Sequence, residues 1–267
     1  VSRAIPLTDP LSIEWVEYQR AEHVTANTIA RRAAVLRSLG NAGTATREEV
    51  EEWWAGRRDL APATRSNDLA CLRAFYRWAQ RWDHRGDDPT RRLDAPKVPK
   101  GLPHPLGRAD LRKLLDNLPP DLRRAVALGA YAGLRVSEVA ALDWSDVDTE
   151  ARRARVTGKG GKVRIVALGV VLMDELLPDV GGNVITAGGP AMSGATLQRR
   201  VNRAMSRLGV AATFHSLRHR YGTLAYQATR DLLAVGRQMG HSSPVTTSIY
   251  AAPSDDAADV IAEAVAR

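Results

Sequence analysis

Residues 86–107, GDDPTRRLDAPKVPKGLPHPLG, carry five prolines and three glycines. A continuous helix does not survive that density of residues which lack an amide hydrogen or leave the backbone unrestrained. Apolar residues recur at helical spacing on both sides of it, so the stretch divides the chain into two cores joined by an extended connection. The 267 residues suffice for two such cores. The division places a first domain at 1–95, a linker at 96–106 and a second domain at 107–267. Lys97 and Lys100 make the connection mildly basic, suiting a strap along a polyanion.

The first domain reads as four helices, over 10–22, 25–39, 46–55 and 62–82, each with Thr or Pro near its start. In the last, Leu69, Leu72, Ala74, Phe75, Trp78 and Ala79 form one apolar face, with Arg65, Arg73, Arg77 and Arg81 elsewhere. Cys71 falls inside that apolar rhythm and reads as a buried packing thiol. A single cysteine excludes an internal disulfide and fits a reducing cytoplasm. No apolar run approaches the roughly 18 residues that a membrane-spanning helix requires.

Charge is distributed unevenly. Residues 1–106 hold 17 basic and 14 acidic side chains, residues 107–250 hold 20 and 12, and residues 251–267 hold 1 and 4. The positive excess therefore lies in residues 107–250, the part of the second domain that holds the motifs below, where an anionic partner would bind. Arginine supplies it: of the five lysines, two fall in one glycine loop, GKGGK at 158–162.

The second domain begins with helices predicted at 108–117 and 120–132. Arg135 then opens a helix whose apolar side includes Val136, Val139, Ala140 and Leu142. Glu138, three residues on, is placed to orient the Arg135 guanidinium; a surface ion pair at a helix start is the plainer alternative. Asp143, Asp146 and Asp148 suggest a metal site, but turn and helix-end roles explain them better, with no His or Glu to complete a ligand set. Residues 152–168 alternate around Gly158, Gly160 and Gly161 and predict a hairpin with a glycine tip. The spacing is not that of a phosphate-binding P-loop. A lysine on such a tip can enter a groove as a point charge and proton donor, and Lys159 and Lys162 both qualify. Residues 194–208 form an amphipathic helix with Arg199, Arg200, Arg203 and Arg207 around its outside.

The stretch from His215 to Tyr250 gathers the remaining chemistry. His215 and Arg218 share one helical face, and MGHSS sets His241 in a turn nine residues before Tyr250. Two histidines, two arginines and a tyrosine suit attack of a phenolic oxygen on a phosphodiester. In order along the chain, GLRVSEV (133–139), GKGGK (158–162), HSLRH (215–219), MGHSS (239–243) and TTSIY (246–250) resemble the tyrosine recombinases, the phage integrases and Xer-type recombinases. Met239 stands where leucine is commoner in that family, and Arg230 where glycine is frequent.

The resemblance implies a mainly α fold with a small β-sheet: a four-helix, SAM-like core-binding domain followed by an α+β catalytic domain. It implies catalytic roles for Arg135, Lys159, His215, Arg218, His241 and Tyr250, with Lys162 as rival to Lys159. Tyr250 would form a 3′-phosphotyrosine and release a 5′-hydroxyl, with neither metal nor ATP. Thr28, Arg31, Arg65, Asn67, Arg73, Lys97, Lys100, Arg199, Arg200 and Arg203 become candidate contacts to double-stranded DNA; a solvated basic face is the plainer reading of each. A tetramer on two core-type sites is implied, with helix 254–266 docking on a neighbouring protomer and accessory DNA-bending or directionality proteins as further partners. The expected setting is the bacterial cytoplasm, and no arm-site module is expected before residue 10. Two rivals share parts of this evidence: a non-catalytic architectural DNA-binding protein and a type IB topoisomerase.

Overall fold

Side-chain caps set where two of the first four helices begin. In this computed structural model, which describes residues 6–98, 105–176 and 181–241, α1 (Pro10–Ala21) starts at Asp9. That carboxylate accepts from the Ser12 and Gly43 amides, both at 3.0 Å, so it also pins the loop before α3. α2 spans Ala26–Leu39. α3 (Arg47–Ala55) opens with a reciprocal cap: Thr46 Oγ1 accepts from the Glu49 amide at 3.2 Å, and Glu49 accepts from the Thr46 amide at 2.7 Å. α4 (Pro62–Arg81) buries Leu69, Leu72, Phe75, Trp78 and Ala79 against Trp15, Leu36 and Val50, as its apolar face predicts. Burial pushes the Cys71 thiol up to about 12, which leaves it a packing group.

The break after α4 is partly folded, contrary to an extended connection starting at 86. Asp88 accepts from the Thr90 amide at 2.8 Å and its hydroxyl at 2.6 Å, and Leu93 is buried in the first core. The chain divides into two compact units, Val1–Lys100 and Gly101–Arg267. Lys100 lies outside the described residues.

The second unit is built around α6 (Pro120–Tyr131), whose Ala125, Val126, Ala127 and Leu128 are fully buried. Around it lie α5 (Arg108–Asn117), α7 (Val136–Ala141), α8 (Val170–Leu176), α9 (Gly194–Arg207) and α10 (Phe214–Thr229). α10 approaches α6 closely because Gly129 presents no side chain: a Cβ there would lie 3.1 Å from the Phe214 ring. α11 (Leu232–Met239) follows a left-handed residue, Arg230, at φ 53°. β2 (Arg153–Thr157) and β3 (Val163–Ala167) form the predicted hairpin, with Ala154 opposite Val166, and a two-residue strand β1 (Val147–Asp148) adds a third antiparallel member. The three aspartates take structural roles: Asp143 caps a turn at Ser145, Asp146 pairs with Arg155 at 2.8 Å, and Asp148 accepts from the Ala151 amide at 2.7 Å. No described helix is long and apolar enough to cross a membrane.

Candidate active site

The last turn of α11 ends in carbonyl oxygens that no further helical amide satisfies. Arginines take them. Arg218, buried on α10, donates to Met239 O at 2.7 Å and to Gly133 O. Arg135, at the start of α7, donates to the same Met239 O at 3.4 Å and to Gly240 O at 2.7 Å. Two guanidinium groups 83 positions apart in the sequence thus meet at one oxygen. Gly133 and Gly240, at φ 66° and 67°, make the tight turns that turn these carbonyls inward.

A buried carboxylate fixes Arg135. Glu138 Oε1 accepts from Arg135 Nη1 at 2.9 Å and Arg164 Nη1 at 2.8 Å. Its Oε2 accepts from the Arg135 amide and Arg164 Nη2, both at 2.8 Å. All four acceptor positions are occupied. Burial by itself would raise the Glu138 carboxyl, but the Arg164 and Arg135 bonds outweigh it and hold it below the usual carboxylate range.

The histidines sit beside these cations. His241 directly follows Gly240, and its amide donates to Gly236 O at 2.9 Å. Lost hydration, then the Arg218, Arg135 and Arg164 charges, push it down to about 4. His215 keeps an exposed edge, yet desolvation by the protein beneath it and the Arg218 and Arg135 charges also lower it. Both imidazoles are therefore neutral near pH 7, able to donate through one nitrogen and accept through the other. His219, one turn beyond, stands edge-on to His215 with ring centroids 4.3 Å apart and is lowered to about 4, chiefly by desolvation.

Arg135, Arg164, Lys162 and His241, with Gly158 and Gly160 of the hairpin, line a cavity of about 1010 Å³. Lys159 opens the turn at the hairpin tip. Its side chain lies outside what the structure describes, as do Tyr250 and helix 254–266. The choice between Lys159 and Lys162 thus stays open.

The candidate DNA contacts separate into groups. Thr28, Arg31 and Asn67 border one hollow of about 310 Å³ between α2 and α4. Arg65 instead packs its guanidinium 4.4 Å over the Trp54 ring, and Arg73 donates to Leu93 O, so both are engaged within the first unit. Lys97 is exposed. Arg199, Arg200 and Arg203 line a shallow hollow on α9, where Arg200 pairs with Asp121 at 2.6 Å. The residue that sequence reasoning missed is Arg164, whose partners are 26 and 74 residues away. His219 was also passed over, although it closes the HSLRH motif.

A mainly helical unit whose Arg135, Arg164, Lys162 and His241 line one cavity beside a glycine-tipped hairpin defines a class: helical proteins with a cationic cleft suited to an anionic ligand. Within that class the chain belongs to the phage integrase family, whose model matches residues 106–257. It is similar to tyrosine recombinase XerC of Xanthomonas campestris pv. campestris, 32% identical over 209 residues, covering 73% of this chain and 65% of that protein. The match therefore spans slightly less than two thirds of that relative. XerC of Corynebacterium glutamicum is 33% identical over 206 residues, covering 70% and 67%. Two solved structures share the fold. The Tn1549 transposon integrase in complex with transposon right end DNA has a TM-score of 0.74 at 19% identity, covering 96% of this chain and 98% of that one. A lambda integrase (75–356) dimer bound to a COC′ core site has a TM-score of 0.73 at 20% identity, covering 88% and 95%.

Proposed function

We propose that this protein is a site-specific DNA recombinase, cutting and rejoining double-stranded DNA through Tyr250. One observation carries the reading: Arg135 and Arg218 donate to the same Met239 carbonyl, two residues before His241. In-line attack on a phosphodiester gathers negative charge on its non-bridging oxygens, and preorganised donors aimed there are usually the largest catalytic contribution. Arg135 and Arg218 supply permanently charged donors. His215 and His241, neutral near pH 7, donate to the same oxygens or take the phenolic proton.

The bond that forms joins Tyr250 Oη to phosphorus; the bond that breaks is to the 5′-oxygen, which leaves with a proton from Lys159. Near neutral pH only about one ordinary phenol in a thousand is ionised, so proton removal belongs to the attack itself. The ester keeps the bond energy, and a foreign 5′-hydroxyl reverses the step to complete strand exchange. In this reading 1–95 is the core-type DNA-binding domain, 96–106 the linker and 107–267 the catalytic domain. Thr28, Arg31, Asn67, Lys97, Lys100 and the α9 arginines contact phosphates. Four protomers assemble on two sites, with helix 254–266 docking in trans, in a bacterial cytoplasm.

The test is capture of covalent protein–DNA adducts from the host in EDTA, followed by sequencing of the attached DNA. Adducts at one recurrent site, absent in Tyr250→Phe, are expected. Adducts that survive Tyr250→Phe refute the nucleophile. Tight binding without adducts favours an architectural protein, and relaxation of supercoils without a preferred sequence favours a topoisomerase. Substituting each lysine by alanine separates the rivals: a 5′-bridging phosphorothiolate leaves without a proton and rescues the variant that lost the acid.

A further inference from the structure

Three arginines converge on the end of α11, and the reaction described above uses two of them. Arg164 lies on β3, two residues past Lys162, and its planar group touches two helices and the turn that ends one of them. Nη1 and Nη2 grip both oxygens of Glu138 on α7 at 2.8 Å, while Nε donates to Gln238 O on α11 at 3.0 Å. Its flat face lies against Gly240: a Cβ at that position would stand 2.8 Å from Nη1, 2.9 Å from Cζ and 3.0 Å from Nε. The side chain is only 13% exposed.

The structure assigns Arg164 a positioning role in strand cleavage: it holds Glu138, and through it Arg135, in register with the Gly240–His241 turn. This rests on the recombinase reading. The fork geometry is the reason an arginine stands here. One guanidinium can meet a carboxylate bidentately and still offer Nε to a carbonyl, whereas a lysine provides a single point charge. Removing the fork leaves Glu138 Oε2 with the Arg135 amide and Oε1 with Arg135 Nη1, so the Glu138–Arg135 pair keeps its own bonds but loses its anchor on β3 and can shift as a unit. It also removes the floor under Gly240, whose carbonyl holds Arg135 Nη2 and whose successor is His241. A displacement of about 1 Å at reacting groups costs on the order of a hundredfold in rate.

The experiment compares the unsubstituted full-length protein with Arg164→Lys, which keeps the charge and loses the fork. The substrate is a nicked duplex carrying the site recovered by adduct capture, and single-turnover adduct formation is followed together with DNA affinity and thermal melting. Arg164→Lys is expected to form adduct about 10–100-fold more slowly, to the same final amplitude, with Kd changed less than about twofold. On a 5′-bridging phosphorothiolate the slowing persists, because the defect lies at the non-bridging oxygens and the nucleophile. Three results overturn the assignment: a rate within twofold of the unsubstituted protein, a loss of amplitude or folding without a slower rate, or rescue by the sulfur leaving group. Absence of adduct with the unsubstituted protein sinks the recombinase reading, and this proposal with it.

Discussion

Replacing Gly133 by alanine separates two physical reasons for glycine at one position. Its φ is 66°, and an added Cβ would lie 2.4 Å from Cδ1, 2.9 Å from Cγ and 3.0 Å from Cε1 of Tyr221. Left-handed backbone costs an L-residue about 1–2 kcal/mol. Intrusion into a packed ring costs about 1–3 kcal/mol more. Together they predict a loss of roughly 2–5 kcal/mol, a large share of the roughly 5–15 kcal/mol that holds an ordinary domain together. Because Gly133 O accepts from Arg218, cleavage is expected to slow as well. The assay is urea unfolding of the full chain, read at the transition that releases buried Trp144, for Gly133→Ala, Tyr221→Ala and the pair. Truncating Tyr221 removes the wall, so the glycine substitution should cost about 1–3 kcal/mol less in that background. The same cost in both backgrounds would refute the steric part, and a total below about 1 kcal/mol would refute the whole account.

Three further outcomes follow from the geometry. Arg230 closes α10 at φ 53°, and among the described residues its side chain makes a distant ring contact, 5.8 Å to Tyr226, so Arg230→Gly should stabilise the protein by about 0.5–1 kcal/mol in a thermal melt; destabilisation would contradict it. Arg203 is exposed on α9, and Arg203→Ala should weaken binding to all duplexes alike and reduce the slope of log K against log salt by about 0.9; an unchanged slope removes it from the interface. In the free protein His241 and His219 are lowered to about 4 and His215 is lowered from the ordinary histidine value near 6.5, so their contribution to stability is full above about 6.5 and is lost as pH falls through each lowered value. An arriving phosphate favours the imidazolium form, so DNA binding should take up protons and tighten from about pH 7.5 to about 6; calorimetry in two buffers showing no proton uptake would count against it.

Periodicity read the elements well and their partners poorly. The apolar face of α4 and the inward Leu197, Val201 and Met205 of α9 were visible because one helical face meets one core. Alternation and glycines located the hairpin. β1 was invisible, since two residues contain no alternation, and α8 lay in a stretch without a clear signal. Arg65 and Arg73 show the limit most clearly. The sequence shows charge on a helix surface, and whether that charge also meets Trp54 or the Leu93 carbonyl depends on where distant segments return. Arg164 is the same failure at the site itself. The strand puts it on the buried face with Val166 and opposite Val156, while the apolar Val163 and Ile165 face outward, so hydrophobic alternation points the wrong way there, and α7 and α11 complete its enclosure.

That arrival also explains how the site stays cationic. Gln238, Met239 and Gly240 offer carbonyl oxygens to Arg164, Arg135 and Arg218 at the end of a helix, where the backbone's partial negative charge favours a cation. A carbonyl orients a guanidinium without cancelling its charge, whereas a carboxylate does both. Glu138 is the carboxylate brought into this group, and its four acceptor positions are already filled by Arg135 and Arg164. Arg135 has five N–H donors, of which three bonds are accounted for, and its side chain remains 36% exposed. Under the proposed function, an anionic phosphodiester would meet the remaining donors together with the charge that the carbonyls left unmatched.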